Sequence, residues 1–396
     1  MTGLIFLFFI AVFFYLLIPA LGAFYIRSRW RVFRSAVLDA SLFSNIDYAT
    51  VRSNKGFTGM HRMIGGFSGV DESERIIWLK NGGLSVKIDI SSADYYLLPG
   101  AGGPEYEGGT ERNDLLPSTG ALQKLSWKHV YSIDEGSRFL VAGPLFIQNG
   151  MGLFKATSNN RLLLLQFDGD AKSIMRRSIW AGRQKNEYWN AFTPGSVLLG
   201  AFSLFIASYL IYTGGGGVNL LSAAISLSLL PISPMLPPGV LFFYLYRSLW
   251  ERARYLRAER DLFLLPVRFI GDYRLTESTT LHLPNGELYG VRKIDHDADI
   301  SGIPGRLRTS RYIPKRQLEG MSYYAFGRVN ARDTHELLEI EDPLAENVIL
   351  KGEPLELSRL CQTKARRTEL FSGTAFLFGF ILNLVLLYQG IGLVLK

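Results

Sequence analysis

The stretch GLIFLFFIAVFFYLLIPALGAFYI, residues 3–26, sets the architecture of the chain, because it carries no Asp, Glu, Lys or Arg. Residues 188–246 and 370–395 also lack these four residue types. A charge at the centre of a bilayer costs about 2.5–3.5 kcal/mol on insertion scales, whereas a water-facing surface needs charge throughout. The three charge-free regions therefore predict an integral membrane protein.

Four segments inside these regions reach the roughly 20 apolar residues that a membrane helix needs. They are residues 3–26, 195–213, 218–246 and 370–395. We expect the first to be a retained anchor and not a cleaved signal peptide. It has no basic residues before it, its apolar run is long, and basic residues follow it directly.

Arginine, lysine and tryptophan side chains cluster beside the ends of these spans, whereas the link GGGGVN between the second and third spans has no charge. If four helices alternate direction, every basic cluster lies on one side, which predicts cytoplasmic large loops and outside termini. We expect a bacterial inner membrane and contact with anionic headgroups. The predicted interface residues are Arg27, Arg29, Trp30, Arg31, Arg34, Arg176, Arg177, Trp180, Arg183, Lys185, Trp189, Arg247, Trp250, Arg254, Lys364, Arg366 and Arg367.

Four prolines, Pro231, Pro234, Pro237 and Pro238, interrupt the third span. Because each lacks a donor and clashes one turn back, they predict a kinked or broken helix. A broken helix at membrane depth must pack against protein or line a water-filled cavity. Both a packed kink and a transport path therefore remain open.

Two regions outside the spans read as β structure. Short alternating or buried apolar runs fill residues 40–170 and 262–360, and Asn81-Gly82-Gly83, Asn149-Gly150 and Asn285-Gly286 are hairpin signals. Even spacing of short strands predicts small barrels. The Gly-, Pro- and acid-rich stretch 97–121 predicts a long loop.

We therefore predict an α+β membrane protein with four transmembrane helices and two cytoplasmic β-rich units of small-barrel, OB-like type. Each β region ends in an apolar strand, a Gly-acid pair and a basic helix before a span, which favours an internal duplication; shared membrane-edge composition is the alternative. The expected boundaries are residues 1–27 for the first helix, 28–190 for the first β-rich domain with its basic membrane-proximal helix, 194–246 for helices two and three, 247–369 for the second β-rich domain, and 370–396 for the fourth helix.

The run IDEGSRFLVAGPLFIQNGMGLF, residues 133–154, continues through FDGDAKSIMRRSIWAGRQ. Over residues 130–190 the chain resembles the membrane-side, GIDE-type β-barrel domain of the mitochondrial multi-pass E3 ligase family and its bacterial relatives. The resemblance implies a fold and a position beside the membrane. Ligase activity in that family comes from a zinc-binding RING, and this chain has a single cysteine, Cys361, so that activity is not carried over.

The run DHDAD, residues 295–299, is the one candidate metal site. Asp295, Asp297 and Asp299 match the first positions of a calcium loop, but Ile300 and Arg306 stand where that loop needs Gly and Glu. We expect a solvated acidic loop. The glycine clusters lack the Lys-Ser/Thr pair of a phosphate loop, and we expect no metal or cofactor.

These observations favour a non-catalytic scaffold or accessory subunit that presents its β units to a protein partner. It is expected to bind no nucleic acid, and Trp78 and Trp127 are expected to be core residues and not stacking platforms. The loops near 100–120 and 295–312 are the expected contact points. The alternatives are a transporter or channel component that uses the proline-broken span, and a membrane enzyme.

Overall fold

The computed structural model describes the chain except residues 1, 54, 99–121, 135, 185–188, 270–277, 283–287, 331–336, 339–341, 345 and 396. Three of its helices are long and apolar enough to cross a membrane: Thr2–Ala40, Thr193–Thr213 and Pro354–Val394. The helices are α1 (Thr2–Val12), which continues through a π-helical turn (Phe13–Leu17) into α2 (Ile18–Ala40), then α3 (Tyr48–Ser53), α4 (Ile174–Gln184), α5 (Thr193–Thr213), α6 (Val218–Ser228), α7 (Gly239–Leu264) and α8 (Pro354–Val394).

Three of the four predicted spans are long apolar helices, and the third predicted span is broken, as its prolines predicted. Residues 218–246 form the short α6, a 3-10 segment (Leu230–Met235) and the start of α7. Pro231 and Pro234 lie in the 3-10 segment, and Pro237 and Pro238 stand between it and α7. The break therefore falls at the four prolines, because proline removes the helical donor.

The chain divides into two compact units. The first holds residues 1–31, 185–257 and 362–396, which include the apolar parts of the long helices. In it, Leu7 and Ala11 of α1 form a buried cluster with Leu204 of α5 and Ala224 of α6. The second unit holds residues 32–184 and 258–361, and contains both sheets.

The first sheet has nine strands in the order β1-β2-β3-β4-β8-β7-β9-β5-β6. β2 also pairs with β7, so hydrogen-bonded pairs run from β2 through β3, β4, β8 and β7 and return to β2. Bulges after Phe57 and Phe67 bend the long β2. The strands are β1 (Ser44–Asn45), β2 (Gly56–Asp71), β3 (Ile76–Asn81), β4 (Leu84–Asp89), β5 (Ala93–Leu97), β6 (Gln123–Lys124), β7 (Arg138–Gln148), β8 (Met151–Phe154) and β9 (Leu162–Phe167).

Two hairpins form where the sequence predicted them. Gly82 joins β3 to β4 with φ +56°, and Asn149 and Gly150 join β7 to β8 with φ values of +52° and +74°. Two consecutive positive φ values are the geometry that favours Asn-Gly in two-residue hairpin loops. The predicted turn at Asn285-Gly286 lies outside the described residues.

The second sheet has five described strands in the order β10-β11-β13-β14-β12. The prediction of two small barrels is corrected to two mixed sheets. Among the described residues, β10 and β12 are the edge strands of the second sheet. Strands β1, β5, β6 and β9 widen the first. The strands are β10 (Ser278–His282), β11 (Leu288–Ile294), β12 (Arg306–Arg308), β13 (Tyr323–Arg328) and β14 (Val348–Lys351).

The two sheets share one four-strand arrangement. β2-β7-β9-β5 and β11-β13-β14-β12 follow the same chain order, and each is antiparallel, antiparallel, then parallel. In each, a glycine with positive φ follows the strand before the helix: Gly169 at +80°, two residues after β9, and Gly352 at +106°, directly after β14. Each glycine precedes an acidic residue and then α4 or α8.

Candidate functional site

A row of apolar and aromatic side chains crosses the outside of five paired strands. Phe57 pairs with Phe146, Phe146 with Leu153, Leu153 with Lys87, and Lys87 with Trp78. We call these five residues the outer row. The side chain of Phe57 is 55 % exposed, and the other four are half-buried.

The outer row faces away from the core because side chains alternate along each strand. The neighbours of the row, such as Val86, Ile88, Leu145 and Phe154, are fully buried. They belong to the large core cluster of the first sheet. The outer row therefore faces away from the core because of its register in the strands, while the residues next to it remain packed in the core.

The outer row has aromatic contacts along its length. The rings of Phe57 and Phe146 lie 5.3 Å apart, and the Lys87 ammonium lies 4.8 Å from the centre of the Trp78 ring. Cation–π geometry of this kind holds a lysine over its ring. A partly exposed apolar strip bordered by a positive charge is typical of a protein contact surface.

Asp342 joins the two sheets through buried charge. Its Oδ2 accepts hydrogen bonds from Arg62 of β2 and Arg328 of β13, the second at 3.3 Å, and its Oδ1 accepts the Leu344 N–H at 3.1 Å. The Arg62 side chain is 4 % exposed and that of Asp342 is 13 % exposed. Phe57, the first residue of the outer row, also lies on β2. The ion pair with Asp342 therefore anchors the strand that carries Phe57.

Glu259 of α7 is a second buried carboxylate. It accepts hydrogen bonds from the Ser310 hydroxyl at 2.5 Å and the Arg311 N–H at 2.9 Å, and the Cys361 thiol lies 3.9 Å away. Burial raises the pKa of Glu259, and these hydrogen bonds oppose the shift. Glu259 thus fastens α7 to the 310–313 turn and to α8, and Cys361 is fully buried beside it.

The break between α6 and α7 is filled by Asn383 of α8. Its amide donates to the carbonyl of Ser233 and, at 2.8 Å, to that of Leu236, and its oxygen accepts the Gly239 N–H at 3.3 Å. Backbone groups freed by a broken helix need such partners at membrane depth. Asn383 and Ser233 are both buried, so the break is packed against α8.

The predicted interface residues fall into groups of different exposure. Arg176, Arg177 and Trp180 are buried in α4, and Arg177 donates to the Asp168 carbonyl. Burial lowers the pKa of Arg177. Lys185 and the side chain of Arg183 lie outside the described residues, and Trp30 is buried. Arg27, Arg29, Arg31, Trp189, Arg247, Arg366 and Arg367 are exposed, and Arg34, Trp250, Arg254 and Lys364 are half-buried.

The acidic loop at 295–299 is exposed, as the sequence predicted. Asp297 lies 3.1 Å from His296, and Asp299 binds the N–H of Ser301, which lowers the pKa of Asp299. Among the described residues, no group of three or more His, Cys, Asp or Glu side chains is placed to hold a metal ion. The other predicted contact loop, near 100–120, lies outside the described residues.

Sequence patterns did not single out Asp342, Glu259 or Asn383, because each acts through residues more than 100 positions away or through a turn. The outer row was also missed, and Trp78, expected in the core, is one of its half-buried members. Alternation in KNGGLSVKID and GPLFIQNGMGLF was the available signal, since it separates inward from outward positions once strands are paired.

No protein-family model matches the chain, and neither a curated protein nor a solved structure matches it significantly.

Proposed function

We propose that the protein is a non-catalytic membrane scaffold that binds a protein partner through the β-rich part of the chain. The outer row is the observation that carries this proposal. It places apolar or aromatic side chains from four strands, and Lys87 from a fifth, on the face of the sheet opposite the buried core, with Phe57 exposed and the others half-buried. Such a surface suits a partner segment with apolar side chains, and the acidic loop at 295–299 is a second expected contact.

Transport through the proline-broken segment is the alternative function. The packing of the break argues for a structural role, because Asn383 already binds the carbonyls that a permeating solute would otherwise meet. Transport would require these hydrogen bonds of Asn383 to break, whereas the scaffold function requires no change at the helix break.

We infer that the chain inserts in a bacterial inner membrane with both termini outside and both β regions in the cytoplasm. Three long apolar helices support insertion. We propose that the path through α6 and the start of α7 makes the fourth crossing. Cysteine placed at Gly215 should react with an impermeant maleimide from outside the cell. Cysteine placed at Asp297 should react only after the membrane is opened, and the reverse pattern would reject this orientation.

We also infer that the two β regions are duplicates of one another. The shared four-strand arrangement before a Gly-acid pair supports this inference.

Photo-crosslinking in native membranes tests the scaffold function. A photo-reactive residue replaces Phe57 in one variant and Tyr131 in the matched control, since Tyr131 is an equally exposed aromatic residue outside the outer row. We expect a defined protein adduct from position 57 that is absent from position 131.

Co-purification then decides whether the adduct reflects binding. The captured protein should be lost with Phe57→Asp and retained with Tyr131→Asp, because both changes are at exposed positions where stability changes little. Equal retention by both variants, or no adduct at position 57, would refute the outer row as a partner surface.

A further inference from the structure

A groove runs between α7 and α8 in the first compact unit. Its volume is about 650 Å³, within the range of about 300–1,000 Å³ that is usual for small-molecule sites. Most of its lining is apolar, including Phe242, Leu245, Phe371 and Phe378, and Arg252 and Thr368 line it as well.

Helix packing makes the groove a defined feature of the fold. The Ser372 hydroxyl donates to the Tyr246 carbonyl at 3.1 Å, and the rings of Phe242 and Phe378 meet edge to face at 5.0 Å. A side chain at Gly379 would collide with Phe242, so this glycine permits the close approach of the helices. These contacts hold α7 and α8 together along the groove.

The groove runs from apolar toward charged sequence. Phe242 and Arg252 are ten residues apart on α7, which corresponds to about 15 Å of helix. The sequence is apolar from Phe242 to Tyr246 and carries its first charge at Arg247, so Arg252 lies on the charged side of this boundary.

Charge within the groove lies at one end. Arg252 is exposed there, and Thr368 is the lining residue of α8 nearest to the basic segment that holds Arg366 and Arg367. Glu369 is engaged by Arg257 in an ion pair. A guanidinium at the mouth of an apolar groove is complementary to a phosphate above an acyl chain.

We propose that the groove binds one anionic phospholipid, with its phosphate at Arg252 and one acyl chain along Phe242, Leu245 and Phe371. This site is separate from the outer row, and it rests on the proposed membrane insertion but not on the scaffold function. It assigns a specific lipid to a helix pair, whereas the predicted interface residues concern the bilayer surface in general.

Native mass spectrometry of the detergent-solubilised full chain, titrated with phosphatidylglycerol, tests the site. Arg252→Ala should weaken binding of the first lipid about tenfold, as loss of a charged hydrogen bond predicts. Arg247→Ala is the matched control, because Arg247 is equally exposed on the same helix but does not line the groove. Ala375→Phe should also weaken binding by filling the groove.

Two comparisons distinguish a lipid site from a site for phosphate alone and from general attraction to surface charge. Phosphatidylcholine should bind more weakly than phosphatidylglycerol, and inorganic phosphate should not displace the lipid, because it lacks the chain that the apolar lining holds. If Arg252→Ala and Arg247→Ala weakened lipid binding equally, the effect would be explained by general surface charge. That result, equal binding of the two lipids, or displacement by phosphate would overturn the proposal.

Discussion

Replacement of Asp342 by alanine should strongly destabilise the second compact unit, which contains both sheets. The carboxylate is the shared acceptor of Arg62 and Arg328, and its loss takes this acceptor away from both guanidinium groups. The Arg62 side chain is 4 % exposed, so water does not replace the lost partner. Removing one partner of a buried ion pair costs about 3–5 kcal/mol, because the remaining buried charge loses a partner that water does not replace.

Thermal unfolding in detergent, followed by tryptophan fluorescence, measures this loss. For a unit of this size, 1 kcal/mol lowers the midpoint temperature by about 2–4 °C, so the variant should unfold about 6–20 °C earlier. Asp297→Ala is the matched control, since the Asp297 side chain is 84 % exposed. It should shift the midpoint by no more than about 2 °C, as expected for a surface substitution.

A double-mutant cycle separates the ion pair from general damage. In an Arg62→Met background, Asp342→Ala should cost less than in the native chain, with a coupling of at least about 1 kcal/mol. The reasoning would be refuted if Asp342→Ala behaved like Asp297→Ala, or if the cost were unchanged when Arg62 was absent.

Three further predictions concern other buried groups. Burial raises the pKa of Glu259, so the folded state takes up a proton more readily, and stability should fall as pH rises from the ordinary value of 4.5 through the raised pKa; unfolding of Glu259→Gln should lack this slope, and an equal slope would contradict the account. Asn383→Leu should cost about 1–3 kcal/mol in thermal unfolding by leaving buried carbonyls unsatisfied, whereas Thr374→Val should cost far less, since Thr374 is exposed. Gly352→Ala should destabilise by more than about 1 kcal/mol, because its φ is +106° and a sulfur atom lies 2.9 Å from the new methyl group, and Gly302→Ala, which meets open space, should change the unfolding midpoint little; similar midpoints for the two variants would reject the strain.

Local signals in the sequence predicted much of the fold. Charge-free runs predicted the three long apolar helices, since each span is a property of about 20 consecutive residues. Asn149-Gly150 predicted its hairpin because the turn itself requires positive φ. Pro231 and Pro234 predicted the broken segment for the same local reason.

Contacts between residues distant along the chain could not be predicted from the sequence. The return pairing of β2 with β7 joins residues as far apart as Gly56 and Ile147, and nothing in either strand specifies its partner. The partner of Arg62 is 280 positions away, so a buried arginine in β2 gave no sign of Asp342. Basic residues of α4 illustrate the opposite error: Arg176 and Arg177 have the composition of a headgroup contact, yet the fold buries them.

The position of Arg62 connects stability to the proposed function. β2 carries Phe57 at the start of the outer row and Arg62 at the ion pair with Asp342, five residues or about 16 Å along the strand. A partner bound at Phe57 therefore contacts the same strand that Asp342 anchors to the second sheet. If the outer row is the partner surface, Asp342→Ala should weaken partner capture at temperatures where the unit is still folded, whereas Gly352→Ala should weaken it only as the unit unfolds. Equal partner capture by native protein and Asp342→Ala below the unfolding transition would show that the second sheet has no part in shaping this surface.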